Sequence, residues 1–212
     1  MSDFKRARSD EQKELRMKQI KDVVIELFET MPYQNITLTI IADKLGLTRA
    51  NLYSYVSTKE EIFLDVSADL RDEYYHALLT ALPTECGFSI DVLAEVWAGI
   101  LNSHQEHLHY CDILSTIIET NVTVDRLAAF KKRYYENAYI VSERIASIVG
   151  ISTEKAYDIL LNVHFHAVGI HSIGRCNPLV EDALKQVNLE PPQIDFRTNL
   201  RDFILMNLKN YS

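Results

Sequence analysis

Strand signals are almost absent from this chain of 212 residues, and residues that break or staple a fold are few: six glycines, five prolines, three cysteines and one tryptophan. Cys86, Cys111 and Cys176 are odd in number, and none belongs to a Cys-x-x-Cys pair. That argues against a disulfide framework and suits a reducing compartment. No stretch nears the roughly 18 uninterrupted apolar residues that a membrane-spanning helix needs. The opening MSDFKRARSDEQ has no apolar core of the kind a signal peptide requires. The expectation is a cytoplasmic protein that makes no use of a membrane.

With 47% apolar and 25% charged residues, the chain is long enough to bury a real core. Its net charge of −8 at first argues against a nucleic-acid partner. The distribution reverses that impression. Residues 1–59 hold 10 Lys/Arg against 8 Asp/Glu, a balance of +2, which leaves −10 for the remainder. A basic front on an acidic body can present one face to phosphates while the body is repelled.

Helical periodicity dominates. From Met17, the residues Ile20, Val23, Val24, Leu27, Phe28 and Met31 recur at steps of three and four, forming one apolar stripe that Pro32 ends. Ser9-Asp10-Glu11-Gln12 reads as a capping box for that helix, with Ser9 at the N-cap. A fourth helix is expected from Ser57-Thr58-Lys59-Glu60 to about Leu82, where Pro83 breaks it. The loop from Pro83 to Phe88 is the best place for a change of core. Further helices are expected near 89–104, 107–119, 123–149, 152–174 and 195–209, with Gly150 and Ser152 as stop and start. A short helical piece lies between Asn177-Pro178 and Pro191-Pro192.

The segment Pro32 to Phe63, PYQNITLTIIADKLGLTRANLYSYVSTKEEIF, is the informative one. Thr37 is an N-cap, and Leu38, Ile41 and Leu45 line one face of a two-turn helix in which Ala42 permits close approach. Gly46 can take the left-handed conformation that ends it, and Leu47 can tuck beneath the turn. Thr48 then caps a third helix whose Leu52 and Val56 face the core. Two short helices joined by such a turn make a helix-turn-helix unit. Thr48, Arg49, Ala50, Asn51, Tyr53 and Tyr55 remain outward. Arg can fork onto guanine and Asn onto adenine, while Ala or a Thr methyl can touch a thymine methyl. The Tyr hydroxyls and Lys59 suit phosphates.

This segment resembles the DNA-binding domain of the TetR/AcrR family of bacterial regulators. Thr37, Ile41-Ala42, Leu45-Gly46-Leu47-Thr48, Leu52-Tyr53-Ser54-Tyr55-Val56 and Lys59-Glu60 match that family's pattern in order and spacing over residues 10–70. Val56 departs from it, since the family usually has Phe there. The resemblance implies an all-α homodimer reading a palindromic double-stranded operator. Each chain would have a basic arm (1–9), a three-helix DNA-binding domain (10–70, helix-turn-helix about 36–55) and a helical ligand-binding and dimerisation domain (71–212). It implies that Thr37, Thr48, Tyr53, Tyr55 and Lys59 hold phosphates and that Arg49, Ala50 and Asn51 face bases. Lys5, Arg6 and Arg8 either add a backbone or minor-groove contact or stay solvated.

In the body, Ile170 and Ile173, with Phe196, Leu200, Phe203 and Ile204, form two apolar faces. The resemblance places such helices in a dimer interface, although both stripes also fit a monomeric core. Trp97, Tyr134, Tyr139, His164 and Phe165 are the candidate lining of an effector pocket, with plain core as the alternative for each. His107 and Cys111 stand four apart and His164 and His171 seven apart, spacings open to a regulatory metal. No tight ligand motif appears, and His76, His104, His109 and His166 add none. Neither a metal site nor a cofactor is expected. Glu73 and His76, and Glu106 and His109, have the Glu-x-x-His spacing, but no His-Glu-x-x-His and no nucleophile motif supports an enzyme. A protein partner on the reader surface, or metal sensing by the body histidines, is the rival reading.

Overall fold

The apolar stripe that Pro32 ends becomes α1 (Ser2–Thr30) in the computed structural model, which describes residues 2–84, 88–175, 178–191 and 193–211, the side chains of 2–10 and 178 excepted. Cys86, Cys176, Asn177 and Pro192 lie outside the described residues. After a 3-10 turn (Tyr33–Asn35) come α2 (Leu38–Lys44), α3 (Arg49–Tyr53), α4 (Lys59–Ala81) and α5 (Ile90–Ser103). Then follow α6 (Glu106–Ile113), α7 (Val124–Val149), α8 (Thr153–Gly174), α9 (Pro178–Gln186) and α10 (Phe196–Tyr211). Between α6 and α7 the backbone widens into a π-helical turn (Leu114–Ile118), closed by the Glu119 amide on the Leu114 carbonyl at 2.9 Å. All regular structure among the described residues is helical.

One expectation needs correction. The backbone is already helical from Ser2, so Ser9 is an interior helical residue and heads no capping box. Lys, Arg and Ala in residues 5–8 are good helix formers, and no Gly or Pro interrupts them.

Other caps form as the sequence dictates. The Thr37 hydroxyl accepts from the Ile40 amide and that of Thr48 from the Asn51 amide, each at 3.2 Å. Gly46 has φ +64°, and the Leu47 amide returns to the Ala42 carbonyl at 2.9 Å, the wrap that ends α2 and lets α3 start at once. Gly150 repeats the device at φ +79°, after which Ser152 caps α8 through the Lys155 amide.

The chain divides into two compact units. The first comprises Met1–Ser67 with Leu114–Phe130; the second comprises Ala68–Ile113 with Lys131–Ser212. The first thus ends slightly before residue 70 and takes in a segment far along the chain. Arg126 helps hold that segment, its Nη2 lying 3.5 Å from the Asp65 carboxylate and 3.9 Å from that of Glu61. The first core is built from Ile20, Val24, Leu27, Ile36, Ile41, Leu52 and Phe63, with the Phe63 ring edge-on to both Phe28 and Tyr33 at 5.1 Å.

In the second unit α10 packs on α5 and α8, and α6 packs on α8. Leu93, Trp97 and Leu101 of α5 meet Val163 and Ala167 of α8 and Leu200, Ile204 and Leu208 of α10 in one buried cluster. Arg144 donates to the Leu79 and Leu82 carbonyls at 3.1 and 2.7 Å, satisfying the C-terminal end of α4 where Pro83 stops it.

Candidate functional site

The turn between α2 and α3 leaves Arg49, Ala50 and Asn51 exposed on α3 while Leu52 is fully buried beneath them. The arrangement follows from sequence: Leu52 anchors a five-residue helix, so its other face must meet solvent. The guanidinium of Arg49 lies over the exposed Tyr53 ring, 5.3 Å from its centroid, and Nη2 donates to the Tyr53 hydroxyl at 2.8 Å. Its Nε reaches the same oxygen at 3.3 Å, so one edge of the fork is held and the other stays available.

Thr37 and Thr48 are exposed. In each the hydroxyl oxygen caps a helix by accepting, which leaves its own proton to donate outward. Tyr55 is half-buried just past the C-terminal end of α3. Thr37, Arg49, Thr58 and Lys59 line one open groove of about 490 Å³, together with Ile36, Leu38, Thr39, Ser57 and Glu60. At its α4 wall the Thr58 hydroxyl accepts from the Glu61 amide at 3.3 Å, and the Glu61 carboxylate accepts from the Ser57 amide at 2.9 Å.

Lys59 is more committed than sequence reasoning anticipated. Its Nζ donates to the Tyr33 and Ile36 carbonyls, both at 2.8 Å, and stands 3.7 Å from the Tyr33 ring centroid. The Tyr33 hydroxyl donates to the Glu60 carboxylate. Burial lowers the Lys59 ammonium from its ordinary range, and Glu60 offsets part of that. Burial, reinforced by Glu60, holds the Tyr33 hydroxyl protonated. Two of three ammonium donors are therefore engaged, and one remains for an anion.

The second unit contains a polar interior. Trp97, fully buried, donates from Nε1 to the Tyr74 hydroxyl at 2.7 Å. The Tyr74 ring stacks on His107 at 4.8 Å and 10°, and His107 lies 6.3 Å from the His164 ring. His164 Nε2 is 4.0 Å from Cys111 Sγ. Arg71, only 5% exposed, sets its guanidinium 4.5 Å from the centroid of the Tyr134 ring. Burial pushes His107 down to about 3 and His164 to about 4, and the Arg71 charge adds to both shifts. Both imidazoles are neutral at physiological pH. His107 Nδ1 bonds the His104 carbonyl at 2.5 Å, while its buried Nε2 has no hydrogen-bond partner among the described residues.

Of the pocket candidates, Trp97, Tyr134 and His164 come together in this interior. Tyr139 (54% exposed) and Phe165 (65% exposed) face outward. Arg71 escaped sequence reasoning, yet its signal is visible: it interrupts the stripe Leu64, Ala68, Tyr74, Tyr75, Leu78 at a buried position. Among the described residues no group of three or more His, Cys, Asp or Glu could hold a metal ion.

The interface candidates divide as well. Ile173 is 59% exposed, and Ile170, Phe196 and Phe203 are partly exposed, whereas Leu200 and Ile204 are completely buried within the chain. A side chain with no surface in one chain has none to bury against a second, so these two belong to the core. The α8 and α10 faces are locked side by side by His166, which stacks on Phe203 at 3.8 Å and meets Asn199 Oδ1 at 2.7 Å.

Comparison with known proteins agrees with this architecture. The chain is similar to a transcriptional regulator of the TetR/AcrR family from Thermobifida fusca YX-ER1, with a TM-score of 0.61 at 20% identity over 93% of this chain and 98% of that one. Mycobacterium smegmatis AmtR is similar at 22% identity and a TM-score of 0.47, over 89% of this chain and 84% of that one. No curated protein sequence matches significantly. The family described as tetracyclin repressor-like, C-terminal domain, matches residues 67–209, well over half of the chain. Together with the helix-turn-helix of the first unit, that match makes the chain a member of the TetR family of DNA-binding transcriptional regulators.

Proposed function

We propose that the chain is a dimeric, ligand-responsive repressor that reads a palindromic operator through α3 and is released by a small-molecule effector. The observation that carries this reading is the exposed Arg49-Ala50-Asn51 face, flanked by the groove in which Thr37, Arg49, Thr58 and Lys59 converge. The face suits base edges in a major groove, and the groove suits the adjacent phosphates. Thr48, Tyr53 and Tyr55 are the further proposed phosphate contacts. The exposed parts of α8 and α10, with Ile173 and Phe203 at the contact, are the proposed dimer surface. Reading a palindrome requires the dimer to present its two α3 helices about 34–36 Å apart, one duplex turn.

The effector seat in this reading is the polar interior of the second unit, where Arg71, His107, Tyr134 and His164 supply a cation and neutral hydrogen-bonding groups. Arg71 and Lys59 stand on the same helix, α4. A small change of α4 in response to effector is the proposed coupling, of the usual size for such linkage, about 1–3 kcal/mol.

Selection of duplexes from a random pool at fixed, near-physiological salt tests the reading. A palindrome with half-sites one turn apart is the expected result. Salt-labile background binding without enrichment overturns it and points to a protein partner on the α3 face.

A further inference from the structure

Six residues of α7 and α8 line a hollow of about 420 Å³ that the DNA-reading function leaves unused: Tyr135, Tyr139, Thr153, Glu154, Tyr157 and Asp158. Helical spacing builds it. Tyr135 and Tyr139 are one turn apart on α7, and Thr153/Tyr157 and Glu154/Asp158 are one turn apart at the start of α8. Tyr135 and Tyr139 are 56% and 54% exposed, so two large aromatic rings face solvent. Tyr135 is held in place from behind, edge-on to Tyr134 at 5.1 Å and 84°. Tyr157 is partly buried, with Tyr135 and Asp158 close enough to join burial in keeping its hydroxyl protonated.

The lining has one sign of charge. It contains two carboxylates, Glu154 and Asp158, three phenol rings and a threonine hydroxyl, and no basic residue. The faces of aromatic rings carry negative potential, so rings and carboxylates attract the same kind of guest. An anion would meet repulsion from both carboxylates, and a neutral apolar guest would gain nothing from them. A bare metal ion lacks its donor set, since no qualifying group of His, Cys, Asp and Glu occurs among the described residues. Residues 60–212, which include this hollow, carry a net −10, a field that draws cations inward.

We propose that this hollow binds a small organic cation, an ammonium bearing alkyl or aryl substituents, with its charge toward Asp158 and Glu154 and its substituents against the rings of Tyr135, Tyr139 and Tyr157. The inference goes beyond operator recognition and does not depend on it.

The test is direct titration of the full-length protein, without DNA, with choline and with benzyltrimethylammonium, followed by calorimetry and by the shifts of tyrosine ring resonances. The control is 3,3-dimethylbutan-1-ol, the uncharged carbon isostere of choline. Saturable binding of at least one cation is expected, with the isostere roughly tenfold weaker or worse, as a partly desolvated cation–π contact predicts. Tyr139→Leu and Asp158→Asn should each weaken the cation severalfold, whereas Tyr139→Phe, which keeps the ring, should bind nearly as the parent does. Both positions are exposed, so these variants leave the core intact. Equal binding of choline and its isostere, no saturable binding of either cation, or indifference to Tyr139→Leu overturns the proposal. So does loss of the dimer in Tyr139→Leu without cation binding, which assigns the hollow to a second copy of the chain.

Discussion

Lys59 and Tyr33 form a clasp within the first unit: the ammonium donates to the Tyr33 carbonyl at 2.8 Å while lying 3.7 Å from the centroid of the same residue's ring. A second donation to the Ile36 carbonyl ties the start of α4 to the chain entering α2. A residue suited by position to a phosphate is therefore also a structural crosslink. Lys59→Ala leaves two carbonyls without their donor, and the expected loss of stability is about 1–3 kcal/mol. Urea unfolding checks it: the midpoint should fall at unchanged slope. An unchanged midpoint would mean the ammonium contributes nothing to the fold. Duplex affinity of this variant must accordingly be measured where it is fully folded.

Arg49 and Tyr53 make a second pair, in which the hydroxyl occupies the Nε/Nη2 edge of the guanidinium. A bidentate contact with guanine uses either the remaining edge or the edge that Tyr53 releases. Arg49→Ala is expected to cost roughly 1–3 kcal/mol at one base position and to flatten the preference there. Tyr53→Phe removes the tether while keeping the ring, and should lower affinity on all duplexes alike. Binding isotherms on an operator and its single-position variants separate the two. Arg49→Ala with preference intact would show that this side chain reads no base.

The helical order, the caps at Thr37, Thr48 and Ser152 and the turns at Gly46 and Gly150 were legible in the sequence because each is a local rule. Hydroxyls cap amides three residues on, and glycine takes the left-handed turn. Ser9 obeyed the same pattern and misled, since nothing before it halts the helix. The interior of the second unit was less legible. Of the five pocket candidates Trp97, Tyr134 and His164 lie in it, while Tyr139 and Phe165, the latter next to His164 in sequence, point outward, and Arg71 reads in sequence as a surface cation. Adjacent residues on a helix lie about 100° apart, so burial of one says little about the next. Leu200 and Ile204 read as interface because an apolar stripe looks the same whether it covers a core or a partner. Only packing against α5 and α8 decides.

That distinction predicts opposite phenotypes. Leu200→Ala opens a cavity in the core and should cost about 2–5 kcal/mol of stability. Ile173→Glu and Phe165→Glu add charge to exposed apolar positions on α8, and should leave each chain folded while shifting dimer toward monomer. Sedimentation and thermal unfolding read the two effects independently. A dimer unaffected by either α8 substitution would exclude this face from the interface.

The two neutral histidines of the second unit make stability depend on pH. In the unfolded chain an imidazole protonates near its ordinary value of 6.5, whereas His107 is pushed down to about 3 and His164 to about 4 when folded. Below pH 6.5 the unfolded state therefore binds protons that the folded state does not. Stability falls as pH drops, at about 1.4 kcal/mol per unit for each such histidine, until the folded values are reached. His171, lowered by burial and by Arg175, acts in the same direction. Between pH 7 and 5 most carboxylates remain ionised, so this window isolates the imidazoles. The unfolding free energy of the parent should fall across it, and His164→Gln should remove roughly 2 kcal/mol of that fall by pH 5 while losing only its packing at pH 7. Equal falls in parent and variant would mean that His164 is charged in the folded protein, and the polar interior would then carry two positive groups where this structure has one.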